Sequence, residues 1–241
     1  MYGTLAAVYD WLVPDALLTP EGSAEAFAPL LEPGWRVLDC AAGTGTLAVG
    51  LALSGFDITA SDASPEMVER ARALAQARGV DVRAEVRVWA DLRGGPYDAV
   101  LCVGNSITHA EGRAGRRVAL TAMKRVLRPG GTLVLTSRNW EKLRAESPRF
   151  EIAERLVERN GVAGLVIRTW EIPERWTEPH AMDTAVALLD GAGNVTTHAE
   201  RLTVWPFTRE MLDADLLAAG LRPVESSWTR DADRYLVTAR R

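Results

Sequence analysis

The chemistry-bearing residues cluster early in the chain. Val37-Leu38-Asp39-Cys40-Ala41-Ala42-Gly43-Thr44-Gly45 is followed by a second apolar run ending at Asp62. This order reads as a buried strand, a glycine turn and a helix start. The turn allows close backbone approach, the helix start offers unpaired amides, and a carboxylate ending the next strand suits ribose hydroxyls. The pattern points to a nucleoside-bearing cofactor. Gly43-Thr44-Gly45-Thr46-Leu47-Ala48 also satisfies the dinucleotide fingerprint, with Asp62 near the expected distance. Asp39 weighs against a dinucleotide, because an anion four residues before the turn repels pyrophosphate and attracts a sulfonium or an amino group.

The elements that must position these residues alternate. Strands are predicted at Arg36 to Cys40, Asp57 to Ser61, Ala84 to Trp89, Ala99 to Val103 and Thr132 to Ser137. Helices are predicted at Thr46 to Leu53, Pro65 to Arg78 and Arg113 to Leu127, with Pro129-Gly130-Gly131 closing the last. Such alternation builds a parallel sheet covered on both faces, with ligands beyond the carboxyl ends of the strands. Ahead of it, Leu5 to Leu18 has helical spacing broken by Pro14 and carries Tyr9-Asp10, and Ser23 to Leu31 reads as a short helix.

After the fifth strand the pattern changes. A helix is expected near Ser147 to Arg159, then strands at about Val166 to Ile172, Met182 to Leu189 and Val195 to Trp205, with Gly191-Ala192-Gly193-Asn194 as a turn. These read as an antiparallel insertion. A helix at Glu210 to Ala219 and a hairpin from Pro223 to Trp228 and Arg234 to Ala239 complete the main sheet. The expected organisation is an N-terminal helical cap over 1–35, a cofactor-binding core over 36–160, an antiparallel lid over 161–206 and a closing helix and hairpin over 207–241.

Composition narrows the function classes. At 241 residues, with 47% apolar and 25% charged residues, the chain suits a globular domain with a full core. A formal net charge of -4 supplies no global field for a phosphate backbone, so nucleic acid is not an expected partner. Cys40 and Cys102 lie in apolar strands and read as buried thiols of a reducing compartment. With no signal-like start and no apolar run of roughly 18 residues, the expectation is a cytoplasmic protein without membrane association. Nothing reads as a metal site, and monomer and homo-oligomer both stay open.

Five segments in order and at matching spacing resemble the class I S-adenosylmethionine-dependent methyltransferases: Val37 to Gly45, Ser61-Asp62-Ala63-Ser64-Pro65-Glu66-Met67, Ala90-Asp91-Leu92, Tyr97-Asp98-Ala99-Val100, and Leu127-Arg128-Pro129-Gly130-Gly131. The resemblance implies a Rossmann-like α/β fold with a seven-stranded, mostly parallel sheet. It further implies S-adenosylmethionine as cofactor and S-adenosylhomocysteine as product. By it, Asp39, Ala41, Gly43 and Gly45 hold the methionine part, Asp62 and Ala63 the ribose, Met67, Asp91 and Leu92 surround the adenine, and Val103 joins the cofactor set. Ala41 replaces the family's first glycine.

Val103-Gly104-Asn105-Ser106-Ile107-Thr108-His109 and Ser137-Arg138-Asn139-Trp140 resemble the glycine and sarcosine N-methyltransferase branch, with Trp140 in place of its tyrosine. The resemblance makes Arg138, Asn139, Trp140 and Tyr9 substrate-binding candidates and Asn105 and His109 catalytic ones. Arg138 at a strand end suits a substrate carboxylate through paired hydrogen bonds, or else pairs with a nearby acid such as Glu141. Eight tryptophans against four phenylalanines are unusual, and Trp140, Trp170, Trp176 and Trp205 fall where a substrate cover is expected.

Methyl transfer from a sulfonium needs alignment and exclusion of water, so the absence of a hydrolase or zinc motif fits. The expected function is methylation of a small molecule, an amine in preference to oxygen or carbon. The alternatives are a small-molecule O- or C-methyltransferase, a catalytically silent cofactor-binding protein and a dinucleotide-dependent dehydrogenase.

Overall fold

The computed structural model describes residues 4–153 and 156–241. Two 3-10 helices, Thr4–Trp11 and Asp15–Leu17, open the chain where one interrupted helical stretch was expected. Pro14 separates them. The helix α1 (Pro20–Phe27) is capped by Thr19, whose hydroxyl accepts from the Gly22 amide, and a further 3-10 turn (Ala28–Leu30) leads to the first strand.

The strands β1 (Arg36–Asp39), β2 (Asp57–Asp62), β3 (Arg83–Val86), β4 (Tyr97–Cys102) and β5 (Leu127–Arg138) run parallel. Between them lie α2 (Thr46–Leu53), α3 (Pro65–Ala77) and α4 (Gly112–Val126). Val37, Ala99, Val100, Leu101 and Cys102 are fully buried because helices cover both faces of the sheet. The strand β3 is shorter than expected, and its end gives way to a 3-10 turn over Trp89–Asp91. The expected break at Pro129-Gly130-Gly131 is absorbed into β5 as a register shift between Tyr97 and Ala99 of β4.

After α5 (Trp140–Glu146) the chain leaves this sheet. The helix expected near Ser147 to Arg159 does not form over its described residues: 150–152 and 157–159 make the short strands β6 (Phe150–Ile152) and β7 (Val157–Arg159), while Glu154 and Arg155 lie outside the described residues. Both strands pair with β8 (Val162–Glu171), followed by β9 (His180–Leu189) and β10 (Val195–Val204). The antiparallel sheet therefore begins at Phe150, before the expected boundary at 161. Pairing with β8 overrides a local composition that favours a helix.

The chain returns through α6 (Arg209–Ala218), β11 (Arg222–Ser226) and β12 (Arg234–Arg240), the last antiparallel to both β11 and β5. The main sheet thus has seven strands in the order β11-β12-β5-β4-β1-β2-β3. One core joins α4 and α6 to it and another packs α1, α2 and α3 on its other face. Buried Asp215 accepts from Arg113, Arg116 and Arg117, which fastens α6 to α4. Because β1 leads on to β2 while β4 leads the other way to β5, a crevice opens beyond their carboxyl ends, where open α/β sheets bind ligands. Among the described residues no helix is long and apolar enough to cross a membrane, and no cluster of His, Cys, Asp and Glu is placed to hold a metal.

Candidate active site

Two cavities occupy this crevice, of about 300 and 230 Å³. They share Tyr9, Ala41, Gly104, Ser106 and His109 and are two ends of one cleft.

The smaller end is built by short-range backbone geometry. Asp62 closes β2, and its two carboxylate oxygens accept from the Gly43 and Ser64 amides, each at 2.9 Å. One acid thereby fixes the glycine turn to the start of α3 and keeps lone pairs for a ligand. Ser64 caps α3 ahead of Pro65, and its hydroxyl accepts from the Met67 amide at 3.3 Å. Met67 and Ala63 line this cavity with Asp62 and Gly43. A side chain at Gly43 would meet only the Tyr9 hydroxyl, at 3.8 Å, so its absence leaves open space for a ligand.

Gly45 has a different reason to be glycine. Its φ is +81°, and a Cβ there would lie 2.6 Å from that of Ala71, so it serves the packing of α2 on α3 and does not line the cleft. Asp91 and Leu92 also fall outside the lining: Asp91 is exposed and Leu92 is buried in the core. Arg87, Val88 and Trp89 take that place. The Trp89 indole donates to the Cys40 carbonyl at 2.9 Å, which anchors its ring beside the end of β1. A tryptophan between a short strand and the Ala-Asp-Leu segment was the available sequence signal.

Asp39 lies in the larger end and is 1% exposed. Among the described residues no arginine or lysine pairs with it. Burial pushes its carboxyl up to about 7, the Ala41 amide at 3.3 Å opposes the rise and the Asp62 charge adds to it. A buried acid of this kind lacks a cation. Ala41, Val103 and Asn105 line the same end.

Asn105 has a φ of +70° and closes a clasp between strand ends. Its Oδ1 accepts from the Arg138 amide at 2.9 Å, and its Nδ2 donates to Thr108 at 3.2 Å. It therefore sets the relative position of the β4 and β5 ends. His109 faces both cavities, and burial lowers its pKa despite a hydrogen bond to the Thr203 backbone, so the ring is neutral near pH 7.

Arg138, Trp140 and Tyr9 line the larger end, and Asn139 does not. The Asn139 side chain caps α5 through Lys142 and donates to the Thr229 and Arg230 carbonyls, so it is consumed in fastening the chain. The Arg138 guanidinium lies 5.0 Å from the Trp170 ring centre and 3.5 Å from Glu151, whereas Glu141 accepts from the Arg209 amide. Trp170 meets Trp140 edge to face at 6.0 Å. Trp176 stacks on Arg144, and Trp205 lies against Gly112. The larger end also takes Arg168 and Thr184 from the second sheet and Arg234 from β12, none of which the sequence reading singled out.

A family model described as a methyltransferase domain matches residues 37–131, which run from β1 into β5. A glycine/sarcosine N-methyltransferase of Parasynechococcus marenigrum is 40% identical over 128 residues, covering 51% of this chain and 45% of that protein. One from Halorhodospira halochloris is 38% identical over 109 residues, covering 44% of this chain and 41% of that protein. The chain thus spans less than half the length of these curated relatives. The fold as a whole is similar to the CcbJ methyltransferase of Streptomyces caelestis, with a TM-score of 0.77 over 99% of both chains at 21% identity.

Proposed function

We propose that this chain, whose residues 37–131 match a methyltransferase domain, is a class I S-adenosylmethionine-dependent methyltransferase that methylates the nitrogen of a small amine also carrying a carboxylate. One observation carries the reading: buried Asp39, without a cationic partner among the described residues, lines the larger of two joined cavities, two residues before Ala41, which lines both. A cofactor with an ammonium and a sulfonium supplies the missing positive charge, and the second cavity has room and walls for its adenosine. The residues present therefore fit S-adenosylmethionine.

When bound, that cofactor brings an already activated methyl group. The chain's own residues then hold, orient and exclude water. Asp39 and the turn at Gly43 would hold the methionine part, Asp62 the ribose, and Met67 and Trp89 would flank the adenine. Asn105 would act through position, keeping the ends of β4 and β5 in register. His109, neutral and facing both cavities, would take the proton an amine must lose before attack. Arg138 would bind the acceptor carboxylate, with Trp170 holding the guanidinium plane. The names of the similar glycine/sarcosine enzymes support an amine over an oxygen or carbon acceptor.

The test is release of S-adenosylhomocysteine from S-adenosylmethionine across amines, amino acids, phenols and carboxylates, with methylated products identified by mass spectrometry. The expected result is turnover on amines bearing a carboxylate, with KM for that acceptor raised at least about tenfold in Arg138→Ala. Turnover confined to phenols, or an unchanged KM in that variant, would remove the amine or the carboxylate part respectively. Binding of nicotinamide cofactors in place of S-adenosylmethionine would remove the whole reading.

A further inference from the structure

The second sheet turns a mainly apolar face to the larger cavity. Trp170, Met182, Leu202 and Val204 line it. Two polar side chains interrupt this face. Arg168 stands two residues before Trp170 on β8 and so shares its side of the sheet, and Thr184 is its paired neighbour on β9. Both line the cavity. Thr184 is 2% exposed, and its Oγ1 has no hydrogen-bond partner among the described residues. A hydroxyl is seldom buried in that condition, and a ligand oxygen or N–H would relieve it.

A guanidinium on an apolar sheet face needs oxygen partners to be held there. Its five donors allow Arg168 to keep a contact within the protein and still offer a bidentate pair to an oxyanion. The main sheet contributes two further guanidiniums: Arg138 and Arg234 are direct cross-strand partners on β5 and β12, and both line the same cavity. Glu151 lies 3.5 Å from Arg138 and is also the cross-strand neighbour of Arg168 on β6, so this acid stands between the guanidiniums of the two sheets.

We propose that Arg168 and Thr184 form a second oxyanion subsite, so that the preferred acceptor is an amine bearing two separate oxyanion groups. One group is held at Arg138 on the main sheet and the other on the second sheet. This rests on reading the larger cavity as the acceptor site. Arg168 and Thr184 set specificity and take no part in the bond changes at nitrogen.

The experiment is calorimetric titration of the protein saturated with S-adenosylhomocysteine, using sarcosine, aspartate, glutamate and O-phosphoserine. At least one of the last three is expected to bind about tenfold or more tightly than sarcosine, and which one distinguishes a carboxylate from a phosphate. Arg168→Gln should abolish that advantage while sarcosine binding stays within about twofold, and Thr184→Val should reduce it about threefold. No advantage for any of the three in the unaltered protein overturns the subsite, as does an equal loss for sarcosine in Arg168→Gln. The unaltered protein decides the matter even where a variant fails to fold. An Arg168-dependent advantage without methylation of any amine would keep the subsite and remove the proposed reaction, whereas methylation of sarcosine without the advantage would do the reverse.

Discussion

The two ends of the cleft are built by different means. The smaller end is framed by segments close in sequence: a glycine turn, a capped helix, and Asp62 tying one to the other. The larger end adds to the ends of β1 and β4 side chains from β5, β8, β9, β10, β12 and the opening 3-10 helix, which lie far apart in the chain. A site made from one βα turn after another constrains residue type at fixed spacings. A site made where two sheets face each other constrains only which side of a strand a residue occupies. The first construction suits an invariant cofactor, and the second lets the acceptor change while the fold persists.

The largest effect that sharpens this contrast is expected at Asp39. Asp39→Asn keeps size and shape but removes the anion, and S-adenosylmethionine should bind about a hundredfold more weakly by calorimetry. Stability should move the other way. The rise of the Asp39 pKa from 3.8 to about 7 amounts to a preference on the order of 4 kcal/mol for the neutral form in the folded state. Between those values the folded chain binds more protons than the unfolded one, so the stability contributed by this group falls as pH rises through the window. The Asn variant should therefore melt higher than the parent at pH 8, by a margin that shrinks as pH falls and closes only below about 3.8, the unfolded-state value. A lower melting temperature at pH 8 would contradict the assignment of Asp39 as an acid awaiting a cation.

The same titration gives the next effect. Affinity for S-adenosylmethionine should fall about tenfold per pH unit below about 7, since the ionised carboxylate must be regained before a cation is bound. Binding in Asp39→Asn should be flat over that range. Loss of this difference would mean that another group controls cofactor binding.

Asn105→Ala addresses the junction of the two ends. It removes the acceptor of the Arg138 amide and leaves a buried donor unpaired, at a cost of about 1–3 kcal/mol in denaturant unfolding. Because the clasp sets where the ends of β4 and β5 lie, kcat should drop about tenfold while the dissociation constant of the cofactor changes less than threefold. A large cofactor effect with unchanged kcat would make Asn105 part of the smaller end instead.

How far each end was legible in the sequence follows from its construction. The expected helix over Thr46–Leu53 coincides with α2, and the first two strands end within one residue of their expected ends at Cys40 and Ser61. Even there, residue type has more than one cause. Gly45 is small for α3, and Asn139 is polar for the α5 cap and the 229–230 backbone, with nothing in their spacing to separate such roles from ligand contact. In the second sheet the signal is weaker still. Three-residue strands such as β6 and β7 are too short to show a period, and exist because β8 supplies their partners. Arg168 looks like any exposed strand arginine until the pairing of β8 with β9 assigns its side.

The smallest expected effect concerns the opening segment, which crosses the boundary between the ends. Tyr9 lines both cavities. On the cofactor side, Arg70 of α3 holds the segment by donating to the Ala6 carbonyl and to Asp10 at 2.9 Å. On the other side, Arg159 of β7 donates to the Asp10 and Val13 carbonyls and to Asp15, while Thr4 donates to the Ala199 carbonyl at 2.8 Å. Arg70→Met releases only the first set, so the segment stays docked on the second sheet while Tyr9 is less firmly held over Gly43. S-adenosylmethionine should dissociate about two- to fivefold faster in stopped-flow measurements, with acceptor KM unchanged. Exposed ion pairs are individually weak, which sets the modest size. Equal changes in both constants would show that the segment moves as one piece and that the two ends of the cleft are mechanically a single site.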